Sequence, residues 1–209
     1  GAAILAASAA LHHGAGRVFL HLLDHGQLQQ LPQTPEIMLR NQVTALAQLP
    51  SSTVVCGCGG GSSVAALLPK VLEHSARLLL DADALNAIAA DAMLRQRLKN
   101  RGAAGLPTVL TPHPLEAARL LNSSVPAVQA DRLAAAHTLA NTLDCTVLLK
   151  GSGSIIASPG EVPHINPTGN ALLATGGTGD VLAGMVAAHR ASMHNNVHSN
   201  AHHAARAGA

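Results

Sequence analysis

Residues 166–180 read NPTGNALLATGGTGD and run directly into VLAGMVAA at residues 181–188. A glycine-rich turn therefore stands immediately ahead of an apolar, helix-like run. Glycine lets the backbone reach positive φ and come close to a ligand. The first turn of a helix has unpaired N–H groups and the positive end of the helix dipole, so such a turn suits an anion such as a phosphate. Asp180 sits in the same turn. Its carboxylate has two readings: a cap for the helix, or a base that takes a proton from a hydroxyl about to attack a phosphoryl group.

Working outward, the rest of the chain alternates strand with helix. Residues 2–12 form a small-residue helical run closed by Gly14-Ala15-Gly16, a C-cap signal. Residues 17–23 (RVFLHLL) read as a strand, 24–35 as loop, and 36–49 as weakly helical. Residues 52–56 (STVVC) are a short strand entering Gly57-Cys58-Gly59-Gly60-Gly61-Ser62, with a helix from about Ser63 to His74. Strand, glycines and helix in that order make a second place for a phosphate or sugar, or a plain turn. Residues 76–80 form a strand ending in Asp81-Ala82-Asp83-Ala84-Leu85-Asn86, where open α/β sheets bind ligands. Asp83 equally suits a cap for a helix beginning near Ala84, and Asp81 with Asp83 lack a third metal ligand.

Residues 108–110 form a strand followed by Thr111-Pro112-His113-Pro114-Leu115-Glu116. Two prolines fix His113 at the strand end and start a helix near Pro114, which favours a ligand contact by the imidazole. Glu116 supports that helix N-terminus electrostatically. Residues 126–143 read as one long alanine-rich helix with Asp131 and Arg132 near its start, and 146–149 as a strand leading into Lys150-Gly151-Ser152-Gly153-Ser154. Residues 155–157 and 162–165 pair as a hairpin. At the end, His194, His198 and His202 recur every four residues, as on one face of a solvated helix. The alternation predicts a largely parallel sheet covered on both faces, in one domain over residues 1–209.

Composition bounds the function. Phe19 is the only Phe, Tyr or Trp, so the core is aliphatic and base stacking is poorly served. The net charge is +2 without Lys/Arg clusters, which argues against a nucleic-acid partner. Apolar runs of membrane-spanning length are absent, so no membrane partner is expected. Cys56, Cys58 and Cys145 are odd in number, and Cys56-Gly57-Cys58 is too close for a zinc knuckle, which fits reduced thiols in a cytoplasmic protein.

Six stretches together resemble the C-terminal domain of the YjeF family, the ADP/ATP-dependent NAD(P)H-hydrate dehydratases of the ribokinase-like superfamily. They are GAAILAASAALHHGAG, VVCGCGGGS, LLLDADALNAIA, TVLTPHPLEAARLL, VLLKGSGSIIA and HINPTGNALLATGGTGDVLAGMVAA, in the family's order and over nearly the whole chain. The resemblance implies a three-layer α/β/α sandwich with a mostly parallel central sheet. It implies a lyase of metabolite repair that phosphorylates the added hydroxyl of the 6S hydrate of NADH or NADPH (NADHX, NADPHX), then loses phosphate. It makes Asp180 the general base, with the N–H groups of Gly177, Thr178 and Gly179 stabilising the transferring phosphoryl. Lys150, Gly151, Ser152, Gly153, Ser154 and Gly179 match the positions for ADP or ATP. Ala2, Ala3, Gly59, Gly61, His113 and Asp180 match those that hold the hydrate. Asp81, Asp83, Asn86, Glu116, Asn166 and Asn170 are supporting residues. Mg²⁺ is implied by the nucleotide, and the family suggests a homo-oligomer, often a tetramer, working with an NAD(P)H-hydrate epimerase domain.

There are departures from the family pattern. A strand and glycine-containing loop that family members carry ahead of Gly1 are expected to be missing. Cys58-Gly59-Gly60-Gly61 replaces Pro-Gly-Leu-Gly, and Ser199-Asn200-Ala201-His202 replaces an aromatic-His-Gly pattern. Two other readings stand beside the dehydratase: a ribokinase-like kinase of a thiazole or pyrimidine alcohol, and a non-catalytic nucleotide-binding module.

Overall fold

The computed structural model describes residues 1–23, 30–192 and 199–208. Its centre is a six-stranded sheet in chain order: β3 (Thr53–Cys56), β4 (Arg77–Leu80), β5 (Thr108–Leu110), β6 (Thr146–Leu149), β7 (Ile155–Ala157) and β8 (His164–Ile165). Pairing is parallel from β3 to β6, then antiparallel to β7 and β8. The expected hairpin is thus the antiparallel edge of a mostly parallel sheet.

Alternation along each strand sorts side chains to the two faces. Leu78, Leu80, Leu110, Val147 and Leu149 join one core with α3 (Val64–His74), α4 (Ala82–Ala90), α5 (Ala92–Ala103), α6 (Pro114–Leu121) and α8 (Arg132–Leu143). Leu79, Val109, Leu148 and Ile156 join the other with α1 (Ala2–His12), α9 (Thr178–Ser192) and α10 (Ser199–Gly208). Helices on both faces give the three-layer sandwich. Gly14, at φ +92°, ends α1: the Ala15 N–H donates to Ala10 O at 3.0 Å and the Gly14 N–H to Leu11 O at 3.1 Å.

Four local expectations are corrected. The segment read as weakly helical contains β2 (Ile37–Leu39) ahead of the short α2 (Gln42–Ala47). β2 pairs in parallel with β1 (Val18–Leu20), which is shorter than the strand read over residues 17–23. The alanine-rich run is two helices, α7 (Val125–Ala130) and α8. They break at Asp131, whose non-helical backbone lets its carboxylate accept the Ala134 N–H at 2.8 Å. Residues 24–29 of the expected loop, and His194 and His198 of the histidine series, lie outside the described residues. His202 is buried, with its ring nitrogen 3.0 Å from Ser158 Oγ, rather than on a solvated face.

β1 and β2 form a sheet of their own. Between β1 and β3 lies a cavity of about 480 Å³, lined by Ala6 and Ala7 of α1, Leu20 of β1, Val55 of β3, and Leu67 and Val71 of α3. Its upper end reaches Gly57–Gly60, at the carboxyl end of β3.

Candidate active site

The turn ahead of α9 is built by glycine at a left-handed position. Gly177 has φ +93°, and a Cβ there would stand 2.8 Å from Leu5 Cδ1 of α1. The Thr178 hydroxyl donates back to Leu173 O (3.0 Å) and Thr175 O (2.9 Å), which ties the preceding loop to the helix start. Val181 N–H donates to Gly177 O at 3.0 Å. Among the described residues no acceptor meets the N–H groups of Gly177, Thr178 or Gly179. They form the donor cradle that the opening stretch predicts.

Asp180 follows in the first turn, half-buried. One of its oxygens, one of Asp81 and the Cys58 Sγ lie within 4.8 Å of one another. Asp81 is 1% exposed, and Lys150 Nζ donates to its Oδ1 at 2.8 Å. Gly179 has no side chain where these groups meet: a Cβ would be 3.3 Å from Lys150 Nζ and 3.9 Å from Asp81 Oδ2. Residues far apart in the chain thus converge from the ends of β3, β4 and β6 and the start of α9.

The two aspartates of the Asp81-Ala82-Asp83 segment turn to opposite partners. Asp81 faces Lys150, whereas Asp83 Oδ2 accepts the Gly61 N–H at 2.8 Å and pins the second glycine loop. Ala82 between them is in the left-handed region at φ +46°. Asp83 therefore bridges α4 to the loop instead of capping its own helix. Gly57 (φ +118°) leaves no room for a Cβ beside the Asp81 carbonyl, and Gly59 (φ +65°) would bring one to 3.0 Å from the Ala2 Cβ. Ala2 thus meets Gly59, and Ala3 and Gly59 both line the β1–β3 cavity, whereas Gly61 is not among its lining residues.

His113 is the N-cap of α6. Its Nδ1 accepts from Leu115 N–H (3.1 Å) and Glu116 N–H (3.4 Å), and Glu116 Oε2 accepts the His113 N–H at 2.8 Å. This reciprocal pair is a capping box with histidine in the cap position. Accepting at Nδ1 puts the neutral ring's proton on Nε2, 3.3 Å from Glu116 Oε1, and the ring stays 46% exposed to a ligand. Burial pushes the Glu116 carboxyl up, partly offset by the His113 N–H and by Lys150.

The Lys150–Ser154 loop hangs on Arg132, which sequence reading placed only near a helix start. Arg132 donates to Ser152 O at 2.5 Å and to Leu149 O at 3.3 Å, and Gly151 (φ +151°) keeps clear of its guanidinium. Gly153 is also left-handed, and the Ser154 hydroxyl donates to Gly151 O. Asn166 N–H donates to Ser154 O at 2.8 Å, while its side chain accepts from Thr168. Asn170 caps the single turn Ala171–Leu173 through the Leu172 N–H. Asn86 is apart from the cluster and accepts from Arg119 at 2.6 Å, joining α4 to α6. The nearness of Cys58 to Asp180 had no local signal, because the two are brought together only by β3 and α9 packing.

The cluster makes a poor cage for Mg²⁺. That ion needs oxygen ligands in octahedral array, and here one donor is a soft sulfur and Asp81 already holds an ammonium.

A family model described as NAD(P)H-hydrate dehydratase matches residues 1–209. The chain is 41% identical over 191 residues to an ADP-dependent (S)-NAD(P)H-hydrate dehydratase of Neisseria meningitidis, covering 89% of this chain and 63% of that protein. It is 39% identical over 188 residues to a bifunctional NAD(P)H-hydrate repair enzyme of Mycobacterium leprae, covering 90% of this chain and 37% of the relative. An ADP/ATP-dependent NAD(P)H-hydrate dehydratase of Bacillus subtilis, co-crystallised with ATP/Mg²⁺ and soaked with CoA, superposes with a TM-score of 0.71 at 26% identity, over 100% of this chain and 74% of that one.

Proposed function

Because this chain belongs to the NAD(P)H-hydrate dehydratase family, we propose that it dehydrates the 6S hydrate of NADH or NADPH at the expense of an adenine nucleotide. The observation that carries this is the meeting of one half-open carboxylate, Asp180, with the amide cradle of Gly177–Gly179 and the buried Lys150–Asp81 pair. Asp180 takes the proton of the ring hydroxyl as its oxygen attacks the terminal phosphorus. The cradle N–H groups and Lys150 stabilise the charge that builds on the phosphoryl oxygens as the bond to the nucleotide breaks. The bond between the ring carbon and the phosphate-ester oxygen then breaks to release inorganic phosphate, the adjacent ring carbon gives up a proton to solvent, and the double bond re-forms. Gly151, Ser152, Gly153 and Ser154 hold the nucleotide, and Ala2, Ala3, Gly59, Gly61 and His113 hold the hydrate.

ADP is the preferred donor in this reading, supported by the Neisseria relative's name. Mg²⁺ would travel with the nucleotide's phosphates and neutralise their charge. A cytoplasmic setting fits the three free thiols and the finding that no helix of the described residues is long and apolar enough to cross a membrane. A homo-oligomer is supported by Val162, Ile165, Leu172 and Leu173, exposed apolar side chains on β8 and its neighbouring loops. An epimerase partner is supported by the bifunctional relative.

The test is turnover of NADHX with ADP and ATP in parallel, followed at the absorption band of the reduced nicotinamide. Recovery of the band is expected, faster with ADP. A phosphorylated thiazole or pyrimidine alcohol without band recovery rejects the dehydratase in favour of a kinase. Nucleotide binding without either product rejects both.

A further inference from the structure

We infer that the Cys58 thiol is a positioning residue for the Asp180 carboxylate. The inference rests on the dehydratase reading for its kinetic consequence, but the contact itself is independent of substrate. Cys58 is 7% exposed, and its Sγ lies within 4.8 Å of oxygens of both Asp81 and Asp180. Those two carboxylates are not equivalent. Asp81 is claimed by Lys150 at 2.8 Å, whereas Asp180 has no ion pair among the described residues. The thiol is thus the polar group left to meet Asp180.

The loop that carries the thiol is held on both sides. Gly57 packs against the Asp81 carbonyl, Gly60 N–H donates to Gly57 O at 3.3 Å, and Gly61 N–H donates to Asp83 at 2.8 Å. Cys58 therefore has little freedom to swing away. Burial, then the charges of Asp81 and Asp180 and a hydrogen bond to Asp180, keep the proton on sulfur, against the pull of Lys150. A protonated thiol is a donor and a poor nucleophile. It fits a role of holding one Asp180 oxygen, so that the other is left to receive the substrate's proton. A metal centre from the same three residues would have to displace the Lys150 ammonium and deprotonate this thiol.

The experiment compares Cys58→Ala and Cys58→Ser. Loss of the donor in Cys58→Ala is expected to lower kcat about tenfold, the rate equivalent of one hydrogen bond, with KM for the nucleotide within about twofold. Cys58→Ser keeps a donor and is expected to restore kcat to within about threefold of the parent. The acidic limb of the kcat/KM profile moves up in pH in Cys58→Ala and returns in Cys58→Ser. Asp81 between β4 and α4, Lys150 just after β6, Glu116 on α6 and its cap His113 are the other titratable and charged groups about the cluster, and they are the same in all three proteins. Equal losses in both variants, or none in either, overturn the inference. The S–H stretching bands of the unmutated cysteines give a readout that needs no cysteine variant. Asp180→Asn is expected to shift one of them, and a spectrum left unmoved overturns the contact even if the Cys58 variants fail to fold. Absence of hydrate turnover in the parent, with the band shift present, would sink the dehydratase reading and leave the contact standing.

Discussion

Asp81 is a carboxylate at 1% exposure, and Lys150 is the ammonium that answers it. Breaking a buried pair from one side leaves an uncompensated charge. Lys150→Met is therefore expected to lose about 3 kcal/mol in urea unfolding, and Asp81→Asn added to it to recover most of that loss. A double variant no more stable than the single one would remove the pair from its structural role. Asp180 has a different kind of weight. Asp180→Asn is expected to reduce turnover by about 10²–10⁴-fold, the usual contribution of a general base, with the nucleotide Kd within about twofold by calorimetry. Unchanged turnover would take the proton-accepting role from this residue. Ala82 carries the cost of a left-handed residue with a Cβ. Ala82→Gly is expected to stabilise by about 0.5–1 kcal/mol, raising Tm by about 1–4 °C. At this scale the sequence revealed the residues but not their partners. Asp180 and the glycines were legible because turn and helix are adjacent. The Lys150–Asp81 contact and the Arg132 support cross many residues of chain and needed the sheet to assemble.

Among the elements, the crossing of α1 over α9 decides where Asp180 stands. Gly184 permits it, since a Cβ there would run into the Ala6 carbonyl oxygen and reach within 2.9 Å of the Ala9 Cβ. Gly184→Ala is expected to cost about 1–3 kcal/mol through overpacking and to lower kcat, measured by thermal melts and initial rates. The start of α6 makes a pH prediction. Burial raises Glu116 from its ordinary value near 4.5, so the fold prefers the protonated form. That contribution is fully present below about 4.5 and is lost as pH rises through the folded value. Compared with Glu116→Gln, the parent is expected to be relatively more stable at about pH 4 than at about pH 8 in paired urea melts. A difference independent of pH would refute it. Long-range forces also explain which elements were misread. β2 is a strand of three residues made by pairing with β1, too short to show alternation. The α7–α8 break hides in an alanine-rich run, where only the cap formed by Asp131 marks it. The βα units with glycine, proline or aspartate at their junctions were readable because each carries its own boundary chemistry.

At the level of the whole molecule, the sheet has a seam. Among the described residues β3 pairs only with β4 and β1 only with β2, and the mostly apolar cavity lies between them, lined also by α1 and α3. The residues of β3 are all half-buried, whereas those of β6 are all buried. A strand needs about 4.8 Å of room on each side and a layer of apolar neighbours above and below, and the seam supplies those neighbours. A chain extended ahead of Gly1 by an apolar strand is expected to show slower amide exchange in β1 and β3 and a higher Tm. Unchanged exchange in both strands would show that the seam does not accept one. The open strand edges of β1 and β3 among the described residues are places where an extended chain can add. The 1–209 protein is thus expected to gain light scattering with concentration and time, and a lysine placed at Val54 should slow it. Shelf life, as much as turnover, is written into that gap.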